Sequence, residues 1–276
     1  MFSASSPALR WLLAPAFACA LLSAQTQPSA PAPPHQQLPS ISSAPAAQIV
    51  PPAPNYRYPN GQTYVYAVEW HLFTAGTAKV GLDISGNQEH VIATADSSGV
   101  VNALYKVHDR FEAFFDPRTF CSLQISKHTE EGSHWRQSEA SFDYAHHKSV
   151  LDEKNLKSGE TKHVENDLPA CATDVITGFY YLASLPLQPG NSYVFLISDG
   201  GKSTQVTAHV ETREQVKVPS GTYTAVRVRA EATSGPLLGK GTVWAWFSEG
   251  DHIPVQMRSK LGWGTLLFRL QRIEKQ

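Results

Sequence analysis

The feature that most constrains the fold is an alternation of apolar and polar residues that begins near Gly61. It is clearest over residues 78–85 and recurs over 206–211 and 226–231. A period of two places one face of a strand in a core and the other in solvent, as in antiparallel sheets. Turn signals such as Pro189-Gly190-Asn191 separate the runs. The sequence therefore predicts a mainly β fold, with a single antiparallel curved sheet that forms an open barrel-like domain.

One segment departs from this alternation. Residues 173–185 (TDVITGFYYLASL) carry apolar side chains at helical spacing. Thr173 or Asp174 is suited to cap the start, and Pro186 ends the helix. We expect one short helix over about 173–185 that plugs an end or covers the concave face of the sheet. A shorter helical turn is expected over 99–105.

Several predicted strands are apolar on both faces. Residues 62–73 and 243–247 contain tyrosines and tryptophans on one face and aliphatic or aromatic residues on the other. Such strands are covered on both sides, by a second layer, by the helix or by a ligand. The aromatic residues form either part of the core or an apolar cleft. On the second interpretation, the candidate ligand-binding residues are Tyr66, Trp70, Trp244 and Trp246.

The N-terminus has the order of a secretory signal. A short, weakly basic start is followed by the apolar run Trp11–Leu22 and by the small residues Ser23 and Ala24. Twelve apolar residues are too few to span a bilayer. We therefore expect a signal peptide over 1–24 and export to the periplasm or the medium, with no transmembrane span after cleavage. An uncleaved anchor is the alternative, and Phe17 argues against a lipid anchor at Cys19.

The composition changes after the signal. Ten of the 19 prolines lie between Pro28 and Pro59. Because proline fixes φ and lacks a donor, this stretch can form neither a helix nor a central strand. We expect a Pro/Ala-rich disordered spacer over 25–60 and one β-rich domain over 61–274. The spacer either holds the domain away from a surface or remains as a leader after export.

Two cysteines remain once Cys19 leaves with the signal. Cys121 and Cys171 would then meet in an oxidising compartment, where a disulfide is expected, although two free buried thiols are the alternative. The bridge would join the strand near 120–125 to the start of the helix. Closing a loop of about 51 residues contributes roughly 4 kcal/mol in the chain-entropy model.

Charge and motifs exclude several classes of function. The 23 Lys+Arg and 24 Asp+Glu residues give no basic excess, so nucleic-acid binding is not expected. The sequence contains no G-x-S-x-G, H-E-x-x-H or C-x-x-C motif. The histidines between 108 and 163 show no pattern that predicts a metal site, and no cofactor is expected.

Two functions of different class remain. The first is a non-catalytic envelope binding module for an apolar or polymeric ligand, such as a lipid, a glycan or a segment of an envelope protein. The second is an envelope hydrolase in which Asp109, Glu112 or Asp143 converge in a cleft. Asp109 could equally form a structural ion pair with Arg110. The first function is favoured because an enzyme of this size usually carries a recognisable motif.

Several segments together resemble one family. They include TYVYAVEWHLFTAGTAKVGL, VHDRFEAFFDPRTF, ATDVITGFYYLASLPLQPGNSY, VPSGTYTAVRV and the tail VWAWFSEGDHIPVQMRSKLGWGTLLFRL. In this order they are similar to the exported bacterial proteins of domain of unknown function 3108, from Gly61 to Leu270. The resemblance implies an antiparallel β domain in the cell envelope and no assigned activity, substrate or cofactor.

The state of the two cysteines can be measured directly. We expect the mass of the exported protein to rise by two hydrogen atoms when it is reduced, because a disulfide takes up two hydrogens. Equal masses before and after reduction would show free thiols.

Overall fold

The computed structural model describes residues 47–70, 73–235, 238–239, 241–261 and 264–275. The predicted signal peptide, and the spacer as far as residue 46, lie outside the described residues.

In the described part of the chain, fourteen strands form one antiparallel sheet. The order in the sheet is β8-β7-β6-β5-β4-β3-β2-β1-β14-β13-β12-β11-β10-β9, so the first and last strands pair in the middle and β8 and β9 are the edges. This confirms the predicted mainly β fold with a single sheet that does not close. The elements are β1 Gln62–Trp70, β2 Phe73–Ser85, β3 Gln88–Ser97, α1 Gly99–Leu104, β4 Val107–Phe115, β5 Ser122–Glu131, β6 His134–Asp143, β7 Lys148–Asn155, β8 Thr161–Asp167, α2 Thr177–Ser184, β9 Ser192–Ile197, β10 Thr204–Val218, β11 Gly221–Ala232, β12 Thr242–Ser248, β13 Pro254–Leu261 and β14 Gly264–Lys275.

The pairing keeps the period-two pattern in phase from strand to strand. Tyr66 of β1 lies opposite Ala78 of β2, which lies opposite Ala95 of β3. Since paired residues point to the same side of a sheet, these rows form one concave inner face. The main core lies between this face and α2, whose residues are almost all buried.

Helix α2 is shorter than expected at its start. It covers Thr177–Ser184 and not 173–185, because the four residues before it have other hydrogen-bonding roles. Thr173 forms a parallel bridge with Ile197 of β9. Oδ1 of Asp174 accepts hydrogen bonds from the backbone N–H groups of Ile176 and Thr177, at 2.8 and 2.9 Å. The predicted helical turn near 99–105 is confirmed as α1.

A covalent and polar clamp joins β5 to the start of α2. Cys121 and Cys171 form a disulfide. Next to it, Ser122 Oγ donates to Asp174 Oδ2 at 2.6 Å, and the N–H of Asp174 donates to Ser122 Oγ at 2.6 Å. Asp174 is fully buried, and burial raises the pKa of its carboxyl, whereas the hydrogen bonds from Ser122 and Thr177 oppose that rise. Hydrogen bonds within the protein therefore compensate the Asp174 carboxyl group for its removal from water.

The segment after β9 spans the gap between the two edges of the sheet. Asp199 pairs with Lys127 of β5 at 2.7 Å, and the carbonyl of Gly200 accepts from Asn166 of β8 at 3.0 Å. Gly200 has φ +86°, and a Cβ there would lie 2.3 Å from the Cβ of Ala140. Only glycine allows this approach. Side-chain and backbone contacts thus link β9 to β5–β8 without a strand ladder.

Residues 47–60, which the sequence analysis assigns to the spacer, lie against the domain. The N–H of Gln48 donates to the carbonyl of Val194 at the free edge of β9, and that of Ala53 donates to the carbonyl of Ser184. Tyr56 and Tyr58 pack against the core. The prolines do not prevent this, because an extended segment can dock through its aromatic side chains and its remaining N–H groups. The ordered domain therefore begins before residue 61.

The tip of the β10–β11 hairpin covers part of the outer face. The ladder shifts register between Val210 and Thr212, and beyond this bulge β10 contacts β13 and β14. The N–H of Ser220 donates to the carbonyl of Leu270 at 3.0 Å. Val65, on the outer side of β1, is completely buried. The prediction that some strands are covered on both sides thus holds for β1.

The clamp predicts a large loss of stability in Asp174→Ala. The substitution leaves the hydroxyls of Ser122 and Thr177 and two backbone N–H groups without their buried acceptor. Each such loss costs about 1–3 kcal/mol. We expect the free energy of unfolding in urea to fall by about 3 kcal/mol or more, with the disulfide intact. Asp143→Ala, which removes an exposed carboxylate, is the control and should cause a much smaller change. Equal losses in the two variants would contradict the role given to the clamp.

Candidate functional site

The candidate site is a cavity of about 350 Å³ on the concave face of the sheet, beneath α2. Its wall comes from both halves of the sheet, from the helix and from the segment before β1. Most of the lining is aromatic or aliphatic: Tyr56, Tyr64, Tyr66, Ala78, Val80, Ala93, Ala95, Phe111, Val175, Ile176, Phe179, Tyr180, Ala183, Val243, Met257 and Phe268.

The space exists because small residues meet across neighbouring strands. Ala78 of β2 lies opposite Ala95 of β3, and Ala93 lies opposite Val80. These side chains are too short to reach the helix, whereas Phe111 and Phe268 on either side are long. Ala93, Ala95 and Phe111 are only partly buried by the protein itself. An apolar surface of this kind, concave and incompletely filled, is typical of small-molecule sites.

Two tyrosines of the wall differ in the partners of their hydroxyl groups. Tyr66 Oη donates to the carbonyl of Pro254 at 2.8 Å. Tyr180 Oη is buried and has no hydrogen-bond partner among the described residues. Burial, followed by the neighbouring Tyr64, raises the pKa of Tyr180 well above its ordinary value, so the hydroxyl stays protonated. A buried hydroxyl without a partner is costly and is rare in folded proteins.

Asp109 of β4 is the acidic group buried in the wall. It is 7 % exposed, and its Oδ1 accepts from the backbone N–H of Glu130 at 3.1 Å. Burial, and then the charge of Glu131, raise the pKa of Asp109 to about 6. The carboxylate is therefore ionised at neutral pH, at an energetic cost.

Besides Asp109, the charged residues of the lining are Arg57, Asp251 and Arg258. Arg57 and Asp251 are exposed. The Nδ1 of His252 is 2.6 Å from the carbonyl of Ala183 in α2, which ties the β12–β13 turn to the helix. Burial, and then the charge of Asp251, raise the pKa of Tyr64 to about 12.

Of the four aromatic residues proposed from the sequence, the structure places only Tyr66 in the lining of this cavity. Trp70 is partly buried against the core farther along β1. Trp244 and Trp246 lie on the opposite face of the sheet, where Arg258 stacks on Trp244 at 4.2 Å and Trp246 Nε1 donates to Glu214. The four residues are therefore not brought together.

Sequence reasoning missed the residues that shape the cavity. Tyr180 and Phe179 were assigned only to a helix, and Ala78 only to an alternating strand. Two sequence features could have indicated the cavity. One is a tyrosine in an apolar helix that faces a sheet, and the other is a set of small residues in adjacent strands. Neither can be recognised before the strand register is known.

The carboxylates of the hydrolase alternative occupy separate places. Asp109 faces the cavity, whereas Glu112 points to the outer face and contacts His90 at 2.7 Å. Asp143 is exposed and contacts His146 at 2.6 Å in the β6–β7 turn. Within the part of the chain that the structure describes, no three His, Cys, Asp or Glu side chains gather as a metal site would require. No described helix has both the length and the apolar character needed to cross a bilayer.

Comparison with known proteins identifies one family. Residues 65–271 match the family described as "Protein of unknown function (DUF3108)". No curated protein matches the chain.

The solved structures that resemble this chain have very low sequence identity to it, and one of them has a TM-score above 0.5. A β-barrel-like protein of domain of unknown function DUF1849 from Brucella abortus is 10 % identical, with a TM-score of 0.56 over 83 % of this chain and 99 % of that one. A candidate exported protein with a YmcC-like fold from Bacteroides fragilis is 10 % identical, with a TM-score of 0.35 over 80 % and 98 %. A candidate lipoprotein from Parabacteroides distasonis is 8 % identical, with a TM-score of 0.30 over 79 % and 97 %.

The buried Asp109 predicts a pH-dependent stability. Its folded pKa of about 6 exceeds the ordinary value of 3.8, so the unfolded chain releases the proton first as the pH rises. The contribution of Asp109 to the free energy of unfolding therefore decreases as the pH rises from about 4 to about 6. Asp109→Asn keeps an acceptor for Glu130 and should melt at a higher temperature than the parent protein above about pH 6, but not near pH 4.

Asp143→Asn is the control for that comparison. Hydrogen bonds from His146 lower the pKa of Asp143, so replacing this carboxylate should not raise the melting temperature at neutral pH. A difference between Asp109→Asn and the parent that is the same at every pH would contradict the prediction.

Proposed function

The chain belongs to the DUF3108 family of proteins of unknown function, and we propose that its domain is an exported, non-catalytic binding module for an apolar small molecule. The observation that supports this proposal is the cavity of about 350 Å³ with its aromatic and aliphatic lining. Ligand sites of this kind have volumes of about 300–1,000 Å³. A cavity volume of about 350 Å³ favours a lipid chain or a similar amphiphile as the ligand.

The shape of the site favours a lipid over the other ligands considered. A glycan needs many hydrogen-bonding groups, whereas the wall offers few polar side chains. A protein segment usually adds to a free strand edge or occupies a long groove. Here Gln48 and Thr173 already contact the free edge of β9. A lipid therefore fits the interior better than a polymer does.

Export to the periplasm or the medium is part of the proposal. The signal-like N-terminus supports it, and so does the Cys121–Cys171 disulfide, since such bonds persist in oxidising compartments. The hydrolase alternative has less support, because Asp109, Glu112 and Asp143 do not share a cleft.

The binding function can be tested by native mass spectrometry of the exported protein. We expect a lipid-sized adduct that is lost under harsher activation. Ala95→Phe places a large ring in the cavity and should reduce the adduct about tenfold or more, because the ring occupies the ligand's volume.

Lys79→Phe is the matched control, since Lys79 is exposed on the outer face of the neighbouring strand. It should retain the adduct. Melting temperatures of both variants would show that they are folded. A parent protein that carries no adduct and binds no hydrocarbon probe would refute the proposed function.

A further inference from the structure

Residues 47–60 form part of the cavity wall although they belong to no strand or helix. We propose that this segment, the strap, is the gate of the cavity: the apolar ligand enters and leaves when the strap detaches, while the sheet and α2 keep their positions. This inference rests on the proposed function, because it concerns access to the same cavity.

The strap lies between the cavity and the solvent. Tyr56, Arg57 and Pro59 belong to the cavity lining. Tyr56 is partly buried and packs against the core, whereas the next residue, Arg57, is exposed. Neighbouring residues of the strap thus contact the interior and the water outside. Moving the strap aside therefore opens the cavity to solvent.

The other parts of the wall are held more firmly. The strands belong to the continuous ladder of the sheet. Helix α2 is fixed near its start by the Cys121–Cys171 disulfide and at its end by His252 of the β12–β13 turn. That turn is itself closed by two hydrogen bonds between Ser248 and Ile253, at 2.8 and 2.9 Å. An opening in any of these parts would disrupt the ladder, the disulfide or the turn.

The strap, in contrast, is attached by isolated hydrogen bonds. The N–H of Val50 donates to Tyr181 Oη at 3.1 Å, and the N–H of Ala53 donates to the carbonyl of Ser184 at 2.9 Å. The four prolines between residues 51 and 59 have no N–H group, so the strap cannot form a regular ladder. Segments held in this way open at a lower free energy than the core of a domain.

Tyr58 attaches the strap at a point outside the cavity. Its hydroxyl donates to the carbonyl of Pro117 in the β4–β5 connection. Its ring packs against Phe115 and Phe120, with centroids 6.0 and 5.5 Å apart. Tyr58 does not belong to the described lining of the cavity. A change at this hydroxyl therefore alters the release of the strap without removing a contact to the ligand.

The test measures the binding and release of pyrene, a fluorescent hydrocarbon, by stopped-flow fluorescence. Tyr58→Phe keeps the ring and removes the hydrogen bond to Pro117. We expect the association and dissociation rate constants to rise together by about 3–10-fold, the range for one neutral hydrogen bond, because the strap is open more often. The dissociation constant, which is the ratio of the two, should stay nearly unchanged.

Ala53→Pro tests a second attachment. It removes the N–H group that bonds Ser184, and the residue before Pro54 is already biased to an extended conformation that proline also adopts. It should accelerate pyrene exchange in the same way. Tyr223→Phe is the control, because its hydroxyl bonds Ser220 on the β10–β11 hairpin and its side chain does not belong to the described lining. It should leave both rate constants unchanged.

Trypsin cleavage after Arg57 measures the release of the strap without any ligand, and it should be faster in both strap variants. Faster cleavage with the pyrene rate constants of the parent protein would overturn the inference, because the strap would then be a wall that the ligand does not pass. A parent protein that binds no pyrene would instead refute the proposed function, and the inference with it.

Discussion

The architecture depends on the attachment of the α2 entry to β5. A sheet whose edges do not pair has no ladder that closes it, so contacts across its concave side help to fix its curvature. Here the Cys121–Cys171 bond and the buried Asp174–Ser122 contact lie side by side, and both fix the residues that lead into the helix. Asp199 and Gly200 extend this attachment toward β8. These links fix the start of the helix above the inner face.

The cavity exists because these attachments fix the separation between helix α2 and the sheet. The helix is held away from β2 and β3 by the clamp at one end and by His252 at the other, while alanines occupy the sheet beneath it. Larger residues at these positions would fill the core and add stability. The sequence instead combines small inward side chains with an unpartnered hydroxyl and a carboxylate of raised pKa. Local departures from good packing and full hydrogen bonding are typical of sites that serve function rather than stability.

Much of the fold was readable from the sequence, because period-two patterning is a local property. Short segments are enough to predict the strands at 78–85 and 226–231 and the helix ahead of Pro186. Counting the cysteines is enough to predict the bond between Cys121 and Cys171. The site was less predictable. Trp244 and Trp246 are predicted as groove residues because they are aromatic. They alternate with Ala245, which pairs with Met257 of the inner face, so their side chains point to the outer face. There Arg258 stacks on Trp244, and Glu214 accepts a hydrogen bond from Trp246. Which residues of distant strands point to the same face depends on bulges such as the one between Trp246 and Phe247. No local sequence pattern reveals these bulges.

The pairing of β1 with β14 has a consequence for how the molecule forms. Gln62 lies opposite Lys275, so the central ladder joins the two extremes of the domain. A chain that emerges N-terminus first has β2 available for β1 almost at once, yet the other side of β1 stays open until the final segment arrives. Contacts of such long sequence separation slow folding, since a large loop must close before they form. The central β1–β14 ladder can therefore form only once the last strand of the domain is available, whereas the hairpins on either side of it need only neighbouring segments.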